Sequence, residues 1–265
     1  MITGSALLGL FGIGSSSSTT SLGPSETLAL YKSSVASTDK TEASIRKEPT
    51  FIRDVAALKA AIAKAKTPDD LLKDTRVAPL LLQGLGLGDQ ASYTGLARKA
   101  LQSKLTDTKS LANVLTDTRW KTAAKTLDFA ASGLTKLKDS KTLDSIIDGM
   151  VDYRRLTAIS EKSQAVSDAL YISTLPDTVP DVYSVLGDAV MRRVATTLAG
   201  LPDELAVLPV ESQAASLKAR FDVSQFGDAK KRTALIQRYL VTATQGNVTM
   251  PSYLSALSGG FSFTA

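Results

Sequence analysis

Four aspartates set the grammar of this chain: Asp74, Asp117, Asp188 and Asp228 each follow one or two apolar residues and a spacer, and each precedes a run with helical apolar periodicity. Leu71-Leu72-Lys73-Asp74, Val114-Leu115-Thr116-Asp117, Val185-Leu186-Gly187-Asp188 and Gln225-Phe226-Gly227-Asp228 are the four instances. An aspartate there accepts hydrogen bonds from amides that the first helical turn leaves unpaired and complements the helix dipole, worth roughly 0.5–2 kcal/mol. The caps are spaced 43, 71 and 40 residues apart. That spacing predicts one module of two short-long helix pairs, duplicated, with a wider insert between the copies. Six pairs share an offset of 114, among them Leu72/Leu186, Asp74/Asp188, Gly86/Gly200 and Asp89/Asp203. The expectation is an internal duplication.

An all-α protein follows from the same patterning. Phe51, Val55, Leu58 and Ile62 mark one helix face with Thr50 as its N-cap, and Trp120, Ala123, Ala124 and Leu127 mark another. Aromatics make up only 6% of the chain, which favours helices packed through Leu and Ala over sheets of aromatic and β-branched residues. The longest apolar period runs from Lys141 to Ile172 and predicts a single long helix between the two units.

The boundaries read as follows. Residues 1–24 form a Ser/Thr-rich tail and 25–48 a peripheral helix with a thin apolar stripe that Pro49 stops; 49–243 form the helical domain. Within that domain, 49–135 is the first half, 136–178 the long connecting helix and 179–243 the second half; residues 244–265 are a Gly-containing tail. That tail, with Tyr253, Leu254, Leu257, Phe261 and Phe263, reads either as a docking segment for a partner or as a lid folding back. The apolar run Met1–Gly14 has no positive residue before it, and Lys32 is the first lysine, so it is a poor secretory signal. At 14 residues it is also shorter than the roughly 20 that span a bilayer, so no stable membrane insertion is expected.

The sequence holds neither cysteine nor histidine. Disulfides, thiol nucleophiles, Cys/His zinc sites and imidazole acid–base catalysis are thereby excluded. The carboxylate pairs Asp69/Asp70, Asp144/Asp148 and Asp203/Glu204 read as surface or capping residues, so no catalytic, cofactor-binding or metal-binding residue is assigned. The Gly84–Gly88 run lacks both a preceding strand and a following Lys-Ser/Thr, which makes it a helix C-cap and not a phosphate loop. Trp120 reads as a core plug. The net charge is +5, but Arg154-Arg155, Arg192-Arg193 and Lys230-Lys231-Arg232 are scattered, so no nucleic-acid partner is expected.

Several motifs together resemble one family. Leu71 to Val77, Gly86-Leu87-Gly88-Asp89, Leu111 to Trp120, Tyr153-Arg154-Arg155 and Tyr183 to Asp188 through Gly200-Leu201-Pro202 are similar to the alphaproteobacterial family of unknown function 1217, over about Phe51 to Leu240. The resemblance implies an all-helical protein encoded among flagellar genes, with flagellar or export proteins as partners and no enzymatic residues to carry over. It implies a structural or assembly protein, located at the flagellum or outside the cell through an uncleaved N-terminal export signal, or else cytoplasmic. A carboxylate-dependent wall hydrolase and a cytosolic adaptor or chaperone of flagellar export are the alternatives.

Overall fold

The computed structural model describes residues 22–245, apart from the side chains of Asp203 and Glu204. The terminal apolar runs and most of the Gly-containing tail therefore lie outside the described residues, as does any pairing of Asp203 with Glu204. Among the described residues every regular element is helical, with no strand.

The chain opens with α1 (Pro24–Ala36) and α2 (Thr38–Ile45), two helices where one peripheral helix was expected. Pro49 does not stop them. It stands in the first turn of α3 (Pro49–Lys64), where a missing N–H costs nothing. Thr50 consequently lies inside that helix and does not cap it; its hydroxyl accepts from Arg154 Nη1 at 3.1 Å. Next come α4 (Pro68–Leu72), opened by the Thr67/Asp70 capping box, and α5 (Val77–Gly84), capped by Asp74. A 3₁₀ turn at Gly88–Gln90 precedes α6 (Thr94–Leu101), α7 (Leu111–Val114) and α8 (Arg119–Leu127). The short α9 (Phe129–Ser132) and α10 (Thr135–Lys138) lead into α11 (Ser140–Ser160).

The single helix expected across Lys141–Ile172 is broken. α11 ends at Ser160, and α12 (Gln164–Ser173) starts afresh with the Ser163 hydroxyl accepting from Val166 N. Ser167 Oγ donates to Leu156 O at 2.9 Å and ties α12 back against α11. The apolar pattern hides this break because Ile159 and Val166 are seven residues apart, a spacing that an uninterrupted helix would also give. The chain then continues through α13 (Val182–Gly187), α14 (Ala189–Ala199), a 3₁₀ turn at Asp203–Val207, α15 (Val210–Lys218), a second 3₁₀ turn at Val223–Phe226 and α16 (Ala229–Gln245).

Two cores result. Leu58, Leu81, Leu101, Trp120, Leu137 and Met150 anchor the first; Val166, Ile172, Val185, Val194, Leu217 and Leu235 anchor the second. α11 serves both, with Ile146, Met150 and Val151 in the first core and Leu156 and Ile159 against the second. Gly84 and Gly149 let α5 and α11 meet closely, for a Cβ on either would fall onto the other helix. α1 lies against the body: Leu28, Leu30 and Tyr31 pack on the second core, across α12 and α16.

Element order and capping recur between the halves. α4, α5, a 3₁₀ turn and α6 are followed in the second half by α13, α14, a 3₁₀ turn and α15. Gly86 (φ 72°) and Gly200 (φ 60°) end α5 and α14 in the left-handed region. In each case the next amide bonds back to the carbonyl five residues earlier, Leu87 N to Leu82 O at 2.8 Å and Leu201 N to Thr196 O at 3.0 Å. The packing of the final helices differs, since α8 closes on α6 and α7 while α16 lies across α12, α14 and α1.

Candidate functional site

The two halves meet where two capped helix starts face each other. Asp117 Oδ1 accepts from Arg119 N at 3.0 Å at the start of α8, and Asp188 Oδ1 accepts from Val190 N and Met191 N, both at 2.9 Å, at the start of α14. A Cβ on Gly187 would collide with the backbone of Thr116 and Asp117, so the capping turns touch through their main chains. Helix N-termini carry partial positive charge. The two carboxylates offset it, and the residue that joins them is Arg119.

Arg119 is 17% exposed and its guanidinium is fully engaged. Nε and Nη2 donate to Asp117 (3.0 and 2.8 Å), Nη1 and Nη2 donate to the Asp89 carboxylate (both 3.0 Å), and Nη1 also donates to Gly86 O (3.0 Å). Nε lies 3.6 Å from Asp188 Oδ2, which accepts from Tyr171 OH at 2.5 Å. Burial works against the charge on Arg119, but its carboxylate partners outweigh burial and hold it more firmly protonated than a free arginine. Burial likewise pushes the Asp89 carboxyl up, and the hydrogen bonds and charge of Arg119 overcome this to leave it below the usual carboxylate range. Tyr171 is driven above the usual phenol range by burial and then by the negative charge of Asp188.

A second buried acid stands near the first cluster. Asp168, on α12 and 1% exposed, accepts from Arg193 Nε and Nη2 (both 2.6 Å), Tyr239 OH (2.6 Å) and Gln164 Nε2 (2.8 Å). It ties α12, α14 and α16 together inside the second half.

Two grooves flank the Arg119 bridge. One, of about 530 Å³, is mainly apolar, with Leu175, Val179, Pro180, Met191 and Phe226 in its wall. The other, of about 430 Å³, carries Tyr153, Arg155, Ser160, Gln164 and Arg193. Gly86, Arg119 and Tyr171 line both, so the ion cluster divides one cleft in two. Every carboxylate of the cluster accepts from arginine, tyrosine or backbone donors, and among the described residues no group of acidic side chains is arranged to hold a metal ion.

The carboxylate pairs read from the sequence do not assemble. Asp69 pairs with Lys73 and Arg98, whereas Asp70 turns back to accept from Thr67 N and Lys66 N. Asp148 pairs with Arg46 at 2.8 Å on an exposed face, and Asp144 is exposed without sharing that partner. All four expected aspartate caps form, including Asp228 to Lys231 N at 2.8 Å. Trp120 is 1% exposed in the first core, as expected. The basic pairs are less solvated than patterning suggests. Arg155 is buried beside Asp152 and Glu42, Arg193 engages Asp168, and the buried Arg232 holds the Pro176–Asp177 loop through Pro176 O, Asp177 and Phe226 O.

Pattern reading missed Arg119, Asp89, Tyr171, Asp168, Arg193 and Tyr239 as a connected set. Asp168 did leave a signal, an acidic residue inside the largely apolar Ala165-Val166-Ser167-Asp168-Ala169-Leu170 stretch, where a buried charge requires a cation. Nothing in the sequence pointed to which one.

Comparisons agree with this architecture. No curated protein matches the chain. The crystal structure of protein AGR_C_984 from Agrobacterium tumefaciens is similar in fold, with a TM-score of 0.71 and 24% sequence identity over 86% of this chain and 96% of that one. The model of the family described as "Protein of unknown function (DUF1217)" matches residues 84–231, a span that takes in both capping turns, Arg119 and most of both grooves. The chain, matched over more than half its length, belongs to that family.

Proposed function

We propose that this protein is a non-enzymatic, flagellum-associated structural or assembly protein that offers helical surfaces, foremost the cleft divided by Arg119, to protein partners. One observation carries the reading: Arg119, Asp89, Asp117, Asp188 and Tyr171 at the centre of the cleft are bound to one another, so what its apolar half presents outward is shape and the wall of Leu175, Val179, Pro180, Met191 and Phe226. Binding grooves of that make-up recognise partner side chains by burial, with few fixed polar groups. The resemblance to proteins encoded among flagellar genes supports the flagellar context, and the charge-free leading residues 1–25 suit an uncleaved export signal. The repeated order of elements and caps supports descent of the two halves from one duplicated unit.

A wall hydrolase is the weaker reading. It would need a protonated carboxyl beside an ionised one. Asp89 is instead held below the usual range by Arg119, which occupies the space between the acids of the cleft.

Gene deletion with scoring of filament assembly and swimming tests the proposal, together with fractionation into cytosol, periplasm and purified basal bodies. Reduced assembly or motility, with the protein in the basal-body or exterior fraction, is the expected result. Unchanged motility in the deletion strain overturns it.

A further inference from the structure

α1 is held to the body differently from the other helices. Among the described residues it is the one α-helix without a fully buried apolar side chain: its buried residues are Thr27 and Ser34, while Leu28, Leu30 and Tyr31 reach the second core only partly buried. Apolar burial is what holds a helix to a core, so this attachment is weak. Thr27 weakens it further. Its Oγ1 is buried and has no hydrogen-bond partner, and a buried hydroxyl left unpaired opposes docking. The one other such side-chain atom among the described residues, Arg155 Nε, at least has the Glu42 carboxylate 3.6 Å away. Neighbouring hydroxyls do not tie α1 down, because Ser33 Oγ, Ser37 Oγ and Thr38 Oγ1 donate to Leu30 O, Ser33 O and Ser34 O, all carbonyls of α1 itself. The polar link to the body is the Tyr31 hydroxyl, near that of Ser173 on α12.

α2 is fixed more firmly. It lies along α11, with Ile45 in the first core and Arg46 Nη2 donating to Asp148 at 2.8 Å. Between the two helices Ser37 has φ −104° and ψ 9°, outside helical values. The chain is thus already broken where a weakly held helix adjoins a firmly held one.

We infer that α1 is a releasable cover: it leaves the second core as a unit, turning about Ser37 while α2 stays on α11, and bares the seam between α12 and α16. Elements with few buried apolar contacts open at a lower free energy than the whole fold, and α1 is the described helix that meets this condition most fully. The seam it covers is as long as α1 itself, 13 residues or about 20 Å, and belongs to the apolar second core. The chain therefore carries a helix-accepting surface that its own first described helix holds shut.

Hydrogen exchange of the full chain, read by mass spectrometry, gives the test. Amides of residues 28–36 should exchange about tenfold faster or more than those of 42–46 in α2 and of the interiors of α12 and α16, although all are bonded within helices. Thr27→Val keeps the shape of the side chain and removes the unpaired hydroxyl, so it should slow exchange in α1 about threefold or more and leave α2 unchanged. Tyr31→Asp should speed exchange in α1, leave α11 protected and raise the fluorescence of anilinonaphthalene sulfonate, a dye that binds bared apolar surface. Exchange in α1 at the rate of α12 and α16 would mean that it leaves only when the whole fold opens, which overturns the inference. So would a rate unmoved by Thr27→Val, or α2 exchanging as fast as α1, since the chain would then not turn about Ser37.

Discussion

The inner and outer caps of the two halves are built alike and situated differently. Asp74 and Asp228 are exposed and accept only backbone amides, while Asp117 and Asp188 are buried at 8% and 2% exposure and share Arg119. The motif is the same, so location alone divides their duties. An outer cap opens a helix; an inner cap also joins two cores. The roughly 0.5–2 kcal/mol expected of a capping aspartate therefore holds for an isolated cap and understates Asp117.

The sharpest way to break the comparison is to remove what joins the inner caps. Arg119→Met leaves Asp89, Asp117 and Asp188 close together without their cation, and breaking a buried pair in this way costs roughly 3–5 kcal/mol. Urea denaturation should show that loss, with Arg119→Lys recovering part of it, because an ammonium cannot reproduce the forked contacts. A loss below about 1 kcal/mol would mean that the halves are joined by apolar packing alone.

Asp188→Ala against Asp74→Ala sharpens the contrast within one pair of related positions. Asp74→Ala should cost about 1 kcal/mol as a lost cap. Asp188→Ala should cost two to three times as much, about 2–3 kcal/mol, because Tyr171 OH and Arg119 also lose a buried acceptor. Equal losses by chemical denaturation would erase the distinction between inner and outer caps.

The smallest effect is in acid. Asp89 is depressed in the folded state, so its contribution is fully present above its unfolded value of about 3.9 and is lost as pH falls through the lower folded value. Asp89→Asn should flatten the dependence of stability on pH below about 4 and leave the slope above it unchanged. A slope unaltered throughout would show that Arg119 contributes nothing to the ionisation of Asp89.

Local features were legible in the sequence because they are written locally. The four caps, the glycine turn at Gly86, the core placement of Trp120 and the all-helical class all depend on residues within a few positions of one another. The break at 161–163 was not, because Ser163 caps α12 without disturbing the apolar period. The cleft was less legible still. Asp89, Arg119, Tyr171 and Asp188 come from four separate stretches, and no local rule says that Arg119, two residues after Asp117, turns toward Asp188 while Arg76, two residues after Asp74, turns toward Asp54 at 3.6 Å. Residues 25–48 read only as a peripheral helix because part of the surface that α1 covers is formed about 200 residues further on.

That separation has a kinetic consequence. During synthesis α1 is made before any other described helix, yet α16, one of the two it lies across, is made last. Contacts so distant along the chain close slowly. The second core stays open on one side until translation has passed Leu240, and for that interval Leu28, Leu30 and Tyr31 are available to whatever binds nascent or unfolded chains.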